Sequence, residues 1–260
     1  MKVLDQGYVK LIESWGSDER VIESARMSTS GAFKGWGYLK CTGCGVQLQE
    51  GYGSTRHDDF NPQGVMCYGN AERVEGDEKL LAYLWRNKHT TPFEMAGATF
   101  ELKLPIVVIR EWHRHRTQSY SEMSARYVPL PDENYMPTME RIKLGLATAS
   151  GNRQAQGTVE FNEQMAEAWL DHLQRVYMHA QSIYQMGINA GVPKELARLC
   201  VPVARYSCMR ATANLRNWLA FLTLRQAPGA QWEIRQFADA VALNLSQSFP
   251  RTMALFNEKP

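Results

Sequence analysis

The sequence of 260 residues predicts an α+β protein with one sheet and a predominantly helical second half. In the run 99–104, Phe100, Leu102 and Leu104 alternate with polar residues, which is typical of a half-buried strand. Between 161 and 183, apolar residues recur every three or four positions and predict a helix of about eight turns. Apolar residues make up 44% of the chain and charged residues 22%, as in ordinary globular proteins.

The first hundred residues predict a strand and two helices. The run 8–13 is expected to be a short strand, followed by a helix with Ser17 as its N-cap and acidic residues in its first turn. A second helix is predicted to begin at Asp77. Pro92 then disfavours further helix, because the residue before a proline avoids the helical region.

The segment 30–75 differs in composition from the rest of the chain. It holds nine of the nineteen glycines and three of the five cysteines, and it shows no sustained period. We therefore predict a long loop inserted into a single domain. Cys41, Cys44, His57 and Cys67 offer zinc ligands, but the spacing from His57 to Cys67 is too wide for a regular finger. Free thiols and no metal are the favoured interpretation, with zinc as the alternative.

Further helices are predicted in the second half and directly after the central strand. The segment 105–116 predicts a helix with Pro105 in its first turn. Two helices are expected at roughly 211–225 and 230–248, separated by Ala227-Pro228-Gly229. No apolar run is long enough for a membrane-spanning helix, and the N-terminus shows no secretory pattern, so a cytoplasmic protein is expected.

Positive charge is concentrated in one segment, although the formal net charge is only +2. Four arginines and two histidines lie between Arg110 and Arg126. On a continuous helix, Arg110 and Arg114 would share a face, and the preceding apolar run suggests partial burial. Buried guanidiniums need anions, so a ligand with phosphates would suit them. A solvated helix with ion pairs and a nucleic-acid patch are the alternatives.

The same segment carries a motif. Arg114-His115-Arg116 is followed, after seven residues, by Ser124, and Glu122, Arg126 and Tyr127 stand in register around that serine. This pattern resembles the signature of the ThyX, or flavin-dependent (alternative) thymidylate synthase, family. Further matching elements cover roughly four-fifths of the chain, with 30–75 outside: Gly7-Tyr8-Val9, Glu23 to Ser28, His89 to Glu94, Ala197-Arg198 with Pro202, Asn214-Leu215-Arg216, Leu224-Arg225 and Ala230 to Ile234.

The resemblance implies a fold, an assembly and an activity. The expected fold is a single domain over 1–260, with a central, mostly antiparallel sheet flanked by helices. The expected assembly is a homotetramer with FAD bound between subunits. The implied reaction converts dUMP to dTMP, with methylenetetrahydrofolate as one-carbon donor and NADPH as reductant. Neither a membrane nor a nucleic-acid partner is expected.

The resemblance also assigns roles to individual residues. The residues expected at FAD are His89, Thr91, Glu94, Arg114, His115, Arg116, Asn214 and Arg216. The residues expected at the nucleotide are Glu111, Glu122, Ser124, Arg126, Arg198 and Arg225. The expected catalytic group is Arg114, Ser124 and Arg225, with Ser124 as a nucleotide ligand rather than a nucleophile.

The sequence departs from the family pattern at four positions. Ser121 stands where the family usually has Asn, and Glu111 often corresponds to Gln. Ala220 and Gly229 replace an Asn and a His that some members place near the flavin. Two alternatives therefore remain open: a methylase that accepts UMP as well as dUMP, used in modified-nucleoside synthesis, and an arginine-rich RNA-binding protein with a zinc loop.

Overall fold

The computed structural model describes residues 1–48, 56–147 and 161–258, which fold into two compact units. Unit 1 comprises Met1–Ser14 and Ala98–Leu245, and unit 2 comprises Trp15–Gly97 and Ser246–Pro260. The strands are β1 (Lys2–Val3), β2 (Gly7–Trp15), β3 (Tyr38–Cys41), β4 (Gln47–Leu48), β5 (Arg56–Phe60), β6 (Met66–Val74), β7 (Gly97–Pro105), β8 (Ser119–Glu122) and β9 (Tyr206–Asn214).

Helices surround these strands in both units. The α-helices are α1 (Asp18–Arg26), α2 (Glu78–Arg86), α3 (Ile106–Trp112), α4 (Met139–Ala147), α5 (Glu163–Asn189), α6 (Lys194–Ala197), α7 (Leu215–Arg225), α8 (Trp232–Ser248) and α9 (Pro250–Asn257). Short 3-10 helices lie at Met27–Thr29, Thr91–Met95 and Arg198–Cys200. Within the described ranges, no helix is both long and apolar enough to cross a bilayer.

Unit 1 is built on a sheet with the strand order β1-β2-β7-β9-β8. The pairings β1–β2 and β8–β9 are antiparallel. On β7, Phe100, Leu102 and Leu104 are fully buried, which confirms the predicted alternation. The indole of Trp218 on α7 packs edge-on against Phe100 at 5.0 Å and donates a hydrogen bond to the carbonyl of Ala98 at 3.0 Å. The α+β class and the antiparallel sheet are therefore confirmed.

The segment 105–116 departs from the predicted helix. Helix α3 ends at Trp112, so Arg110 and Arg114 do not share a helix face. The Tyr120 hydroxyl donates to the carbonyl of His115 at 2.7 Å and lies 3.2 Å from that of Trp112. These carbonyls are thus engaged by a side chain from β8, and the chain turns instead of continuing the helix.

The segment 206–214 is a strand, so the helix predicted from residue 211 begins later. Burial alternates along much of β9, as Met209, Ala211 and Ala213 are buried between more exposed positions. Asn214 ends the strand and caps α7, because its side-chain oxygen accepts a hydrogen bond from the backbone N–H of Asn217 at 2.9 Å.

Unit 2 contains a second sheet, and the expectation of a loop over 30–75 was wrong for its described part. The strand order is β4-β3-β6-β5, with antiparallel pairing throughout. The register pairs Tyr38 of β3 with Val74 of β6, so each of these strands depends on a partner that is distant in sequence. Residues 49–55 of this segment lie outside the described residues. The expectation of one sheet was therefore also wrong.

A buried carboxylate connects the two ends of unit 2. Asp18, at the start of α1, accepts hydrogen bonds from the hydroxyl of Thr252 at 2.6 Å and the backbone N–H of Arg251 at 2.8 Å. Burial raises the pKa of Asp18, and these hydrogen bonds oppose that rise. Helix α9, which the sequence did not predict, is thereby fastened to α1.

Candidate active site

The motif arginines lie in a tight turn after α3, which we call the arginine turn (His113–Gln118). Arg114 and Arg116 are exposed, and His115 is half-buried. Gln118 anchors the end of the turn to α3, because its side-chain oxygen accepts a hydrogen bond from the buried indole of Trp112 at 3.0 Å. The expected partial burial of the segment with Arg110 and Arg114 was wrong for these two side chains, since both are exposed in the single chain. Within the described residues, no carboxylate pairs with Arg114 or Arg116.

Three predicted site residues meet at the end of α7 and form the Arg225 cluster (Glu111, His115 and Arg225). The Arg225 guanidinium forms an ion pair with the Glu111 carboxylate. It also donates from Nε to Nε2 of His115 at 2.7 Å and from Nη2 to the Glu111 carbonyl at 3.3 Å. The side chain of Arg225 retains only 16% of its exposure, so these contacts hold the guanidinium in one orientation.

His115 is neutral in this arrangement. Burial, together with the positive charge of Arg225, lowers its pKa from 6.5 to about 4. Because Nε2 accepts the hydrogen bond from Arg225, the neutral ring carries its proton on Nδ1. Burial also raises the pKa of Tyr120 to about 12, so its hydroxyl remains a donor to the arginine turn.

A second group of predicted residues lies around the loop that follows β8. The Ser124 hydroxyl accepts a hydrogen bond from the backbone N–H of Arg126 at 3.3 Å. The Arg126 guanidinium pairs with Glu195 on α6 at 3.1 Å. Arg198 follows Glu195 by three residues and is exposed. The loop and α6 therefore bring Ser124, Arg126 and Arg198 to one side of the unit.

Strand β8 carries two further residues of interest on the edge of the sheet. Ser121 lies opposite Arg210 of β9, and Glu122 lies opposite Met209. Both β8 side chains are exposed. Arg210 is itself paired with Glu101 of β7 at 3.2 Å. Ser121 thus borders the loop that contains Ser124 without taking part in a side-chain contact of its own among the described residues.

The start of α7 connects Asn214 and Arg216, which the motifs predict to lie at the cofactor, to the arginine turn. The Asn217 side chain donates to the carbonyl of Thr117 at 3.2 Å, while its backbone N–H is held by Asn214. Arg216 is exposed on the first turn of the helix. This contact places Asn214, Arg216 and the arginine turn in the same part of unit 1.

The remaining residues that the motifs predict to lie at the cofactor belong to unit 2. His89 and Thr91 line an open cavity of about 750 Å³, and Glu94 lies on the same 3-10 helix as Thr91. Arg26 and Lys88 also line this cavity. Its other lining residues combine hydroxyl and apolar side chains: Ser24, Ala25, Ser28, Thr29, Leu80, Tyr83, Leu84, Thr90, Pro92 and Met95.

The sequence did not predict three residues that position the arginine turn and Arg126. Tyr120 and Asn217 hold the arginine turn, and Glu195 holds Arg126. The alternation of the β8 residues was a signal for Tyr120, and the spacing of Asn214 and Asn217 is that of an N-cap pair. Glu195 gave no signal, because its partner is distant in sequence.

Comparison with known proteins identifies the family. The family model described as thymidylate synthase complementing protein matches residues 10–251. A flavin-dependent thymidylate synthase of Thermus thermophilus is 33% identical over 257 residues, covering 98% of this chain and 77% of that protein. A flavin-dependent thymidylate synthase of Ehrlichia ruminantium (strain Gardel) is 34% identical over 259 residues, covering 99% and 72%.

A solved structure is similar as well. It is that of a UMP/dUMP methylase, PolB, from Streptomyces cacaoi bound with 5-Br dUMP. The TM-score is 0.71 at 27% sequence identity, and the match covers 98% of this chain and 96% of that one. With the motif residues and the sheet described above, these likenesses confirm the predicted resemblance, and the chain belongs to the thymidylate synthase complementing proteins, the ThyX-type family.

Proposed function

We propose that this protein is an FAD-dependent enzyme that methylates C5 of dUMP and, less efficiently, of UMP. In the proposed reaction, methylenetetrahydrofolate supplies the one-carbon unit and NADPH supplies the reducing equivalents. The observation that carries the proposal is the likeness to a UMP/dUMP methylase along nearly the whole chain, within a family of flavin-dependent thymidylate synthases. The proposed site residues are those assigned by the motifs.

The donor groups of the chain suit a cofactor with phosphates. The arginine turn exposes guanidiniums that no described carboxylate neutralises, and arginine binds phosphate oxygens with two parallel hydrogen bonds. The cavity of unit 2 adds Lys88 and hydroxyl groups, whereas its Arg26 is already paired with the buried carboxylate of Asp77. The residues that would hold FAD are His89, Thr91, Glu94, Arg114, His115, Arg116, Asn214 and Arg216. When bound, the flavin supplies the hydride of the reaction.

Arg225 is suited to stabilise negative charge on the uracil ring. Addition at C5 requires electron density to build up on the ring, and a fixed guanidinium stabilises that charge without reorganising. Glu111 and His115 provide this fixation from two directions. Since arginine keeps its proton, Arg225 acts as an electrostatic anchor and not as a base. Because His115 is neutral, it adds no positive charge that would repel the Arg225 guanidinium.

The loop after β8 is suited to receive the nucleotide. The pair Arg126–Glu195 is exposed on both sides, 57% and 52%, so it contributes little to stability and can be exchanged for a nucleotide phosphate. Arg198 adds a second exposed guanidinium nearby. Ser124 presents a hydroxyl, and Glu122 presents a carboxylate that can accept hydrogen bonds from a ribose or a base.

Self-association is the third part of the proposal. Helix α5 has 27 residues, and many of its apolar side chains are exposed in the single chain. Four of them, Met165, Trp169, Val176 and Ile183, share one side of the helix, and an exposed apolar face of this kind is typical of an interface. We propose that it is covered in a homotetramer. The exposed apolar residues are Met165, Trp169, Val176, Met178, Ile183 and Met186.

One preparation tests the activity. The purified protein should show flavin absorption and should convert dUMP, and more slowly UMP, when methylenetetrahydrofolate and NADPH are supplied. A protein that binds no FAD even on reconstitution would overturn the proposal. A colourless protein that retains polynucleotide would instead indicate an RNA-binding function. Flavin without turnover of either nucleotide would mean that the fold serves other chemistry.

Light scattering tests the assembly. A mass near four chains is expected for the native protein, and Trp169→Asp should lower it, because a carboxylate cannot be buried unpaired in an apolar interface. The matched control is Asp171→Asn, on an exposed position of the same helix, which should leave the mass unchanged. An active monomer would refute this part of the proposal.

A further inference from the structure

Three cysteine sulfurs converge in unit 2. Cys41 ends β3, Cys44 lies in the turn towards β4, and Cys67 lies on β6. Their Sγ atoms all lie within 4.8 Å of one another, and those of Cys41 and Cys67 are 3.4 Å apart. In a tetrahedral zinc site with Zn–S bonds of about 2.3 Å, neighbouring sulfurs are about 3.8 Å apart. The three thiols therefore already have the spacing of three corners of such a site.

The backbone around the sulfurs is shaped to fit them. The backbone N–H of Gly43 donates to Cys41 Sγ at 3.3 Å, and Gly45 closes the turn with a φ of 74° that glycine adopts without strain. A Cβ atom at Gly69 would lie only 2.1 Å from Cys41 Sγ, and one at Gly43 only 2.9 Å from Cys67 Sγ. Glycine at both positions leaves the room that the sulfurs occupy.

The turn is also bound to β6 next to the sulfurs, through two hydrogen bonds between Thr42 and Asn70. The backbone N–H of Thr42 donates to the carbonyl of Asn70 at 2.9 Å, and the backbone N–H of Asn70 donates to the Thr42 hydroxyl at 3.1 Å. Cys41 is buried, with 1% exposure. These reciprocal bonds hold the three sulfurs together in the folded unit, so the ligands are preorganised for a metal ion.

We propose that Cys41, Cys44 and Cys67 bind a Zn²⁺ ion that links the β3–β4 turn to β6. Three thiols lose their protons to the solvent as three Zn–S bonds form, since the thiolate is the metal ligand. The thiolates and the ion together carry a net charge of −1, and the N–H donor of Gly43 stabilises that charge. Water or a fourth side chain completes the tetrahedron. The backbone register, which pairs His57 with Gly69, makes His57 the first residue to test.

Metal analysis of the flavin-loaded protein tests the proposal. Protein purified without chelator should contain about one zinc per chain, with three sulfur ligands at about 2.3 Å in X-ray absorption. Cys41→Ser, Cys44→Ser and Cys67→Ser should each lower the zinc affinity more than about tenfold. Cys200→Ser is the matched control, because Cys200 lies in unit 1, and it should retain the metal. His57→Ala should lower the affinity if His57 is the fourth ligand, and unchanged affinity excludes His57 from the site.

A thiol assay on the unaltered protein covers the case in which a variant fails to fold. Of the five free cysteines, three should resist a thiol reagent until a chelator is added. Absence of zinc together with five reactive thiols would overturn the proposal. A mass lower by two hydrogens, with three reactive thiols before and after chelation, would overturn it in favour of a Cys41–Cys67 disulfide.

Discussion

Two regions of unit 1 use the same residue type in opposite ways. Arg205, just before β9, is fully buried and donates to the carbonyl of Pro131 at 2.6 Å and to the Gln181 side chain at 2.9 Å. In the arginine turn, Arg114 and Arg116 are exposed, and the described chain supplies them with no carboxylate. The fold supplies acceptors to both terminal nitrogens of Arg205 and leaves only its buried Nε without a partner, whereas the turn leaves its guanidiniums for a ligand.

Arg225 lies between these two cases. It is held by Glu111 and His115, as a structural arginine is held, but it retains 16% exposure next to the arginine turn. A guanidinium that is oriented by the protein and still accessible is what transition-state stabilisation requires. Protein partners and remaining exposure together thus distinguish the three cases: Arg205 has partners and no exposure, Arg225 has partners and some exposure, and Arg114 is exposed without a carboxylate partner among the described residues.

The largest effect is expected at the buried arginine. Arg205→Met should lower the free energy of unfolding by about 3 kcal/mol, because it removes the donor of two partly buried hydrogen bonds and the partner of Asp132. Arg114→Met, the same change in the arginine turn, should alter it by no more than about 0.5 kcal/mol. Denaturant unfolding of flavin-free protein measures both. Equal losses of unfolding free energy in the two variants would show that Arg205 is no more important for stability than Arg114.

The second effect concerns the cofactor. Arg114→Ala and Arg216→Ala should each weaken FAD binding by about 1.5–3 kcal/mol, which is the contribution of a charge-assisted hydrogen bond. Flavin fluorescence titration measures the affinity. Arg86→Ala is the control, since Arg86 is an exposed arginine on α2 that pairs only with Glu258 at 3.8 Å among the described residues. Unchanged affinity in both test variants would remove these residues from the cofactor site.

The third effect is a pH dependence set by His115. Its pKa in the folded chain is about 4, below the usual 6.5, so the unfolded chain takes up this proton more readily. The stability that the neutral ring contributes is therefore complete above pH 6.5 and is lost as the pH falls towards 4.

NMR titration of His115 measures this pKa directly. Arg225→Gln should raise it only part of the way to 6.5, because burial is the larger cause of the shift and remains in the variant. The free energy of unfolding should fall between about pH 7 and about pH 5 in the unaltered protein. It should fall less in the His115→Gln variant, which lacks the titrating ring. A ring that titrates normally in the unaltered protein would show that the Arg225 cluster does not form.

The comparison also shows why the sequence predicted some elements and not others. The strand at 97–105 and the helix α5 were found because their periods are long and are set by their own residues. The end of α3 was missed because a hydroxyl from β8 determines it. The sheet at 38–74 was missed because its sequence shows no sustained period and its strands depend on partners as distant as Tyr38 and Val74.

In the candidate site as well, the sequence predicted the residues but not their contacts in space. The motifs named Glu111, His115 and Arg225, yet nothing in the sequence indicated that Arg225 contacts residues more than a hundred positions away. Charge pattern alone suggested buried cations, because apolar neighbours in sequence were taken as neighbours in space. The arginine turn instead leaves the apolar helix at Trp112 and carries its charges to the surface.

The smallest effect is expected at Ser121, on the edge strand next to the loop of Ser124. Asparagine has a larger side chain and replaces a hydroxyl by an amide, which leaves less room for the extra hydroxyl of UMP. Discrimination of a single hydroxyl in a site that tolerates it amounts to only a few kcal/mol. Ser121→Asn should therefore shift the ratio of kcat/KM values towards dUMP by about fivefold, or ~1 kcal/mol.

Parallel turnover of dUMP and UMP measures this ratio. Ser119→Asn is the matched control, since it makes the same change on the same face of β8, two residues away and opposite Thr212. It should leave the ratio unchanged. Equal ratios in the unaltered protein and Ser121→Asn would show that the edge strand does not read the ribose. Ser121 would then be a neutral substitution, and any preference between dUMP and UMP would rest on the other proposed nucleotide residues, such as Glu122 and Ser124.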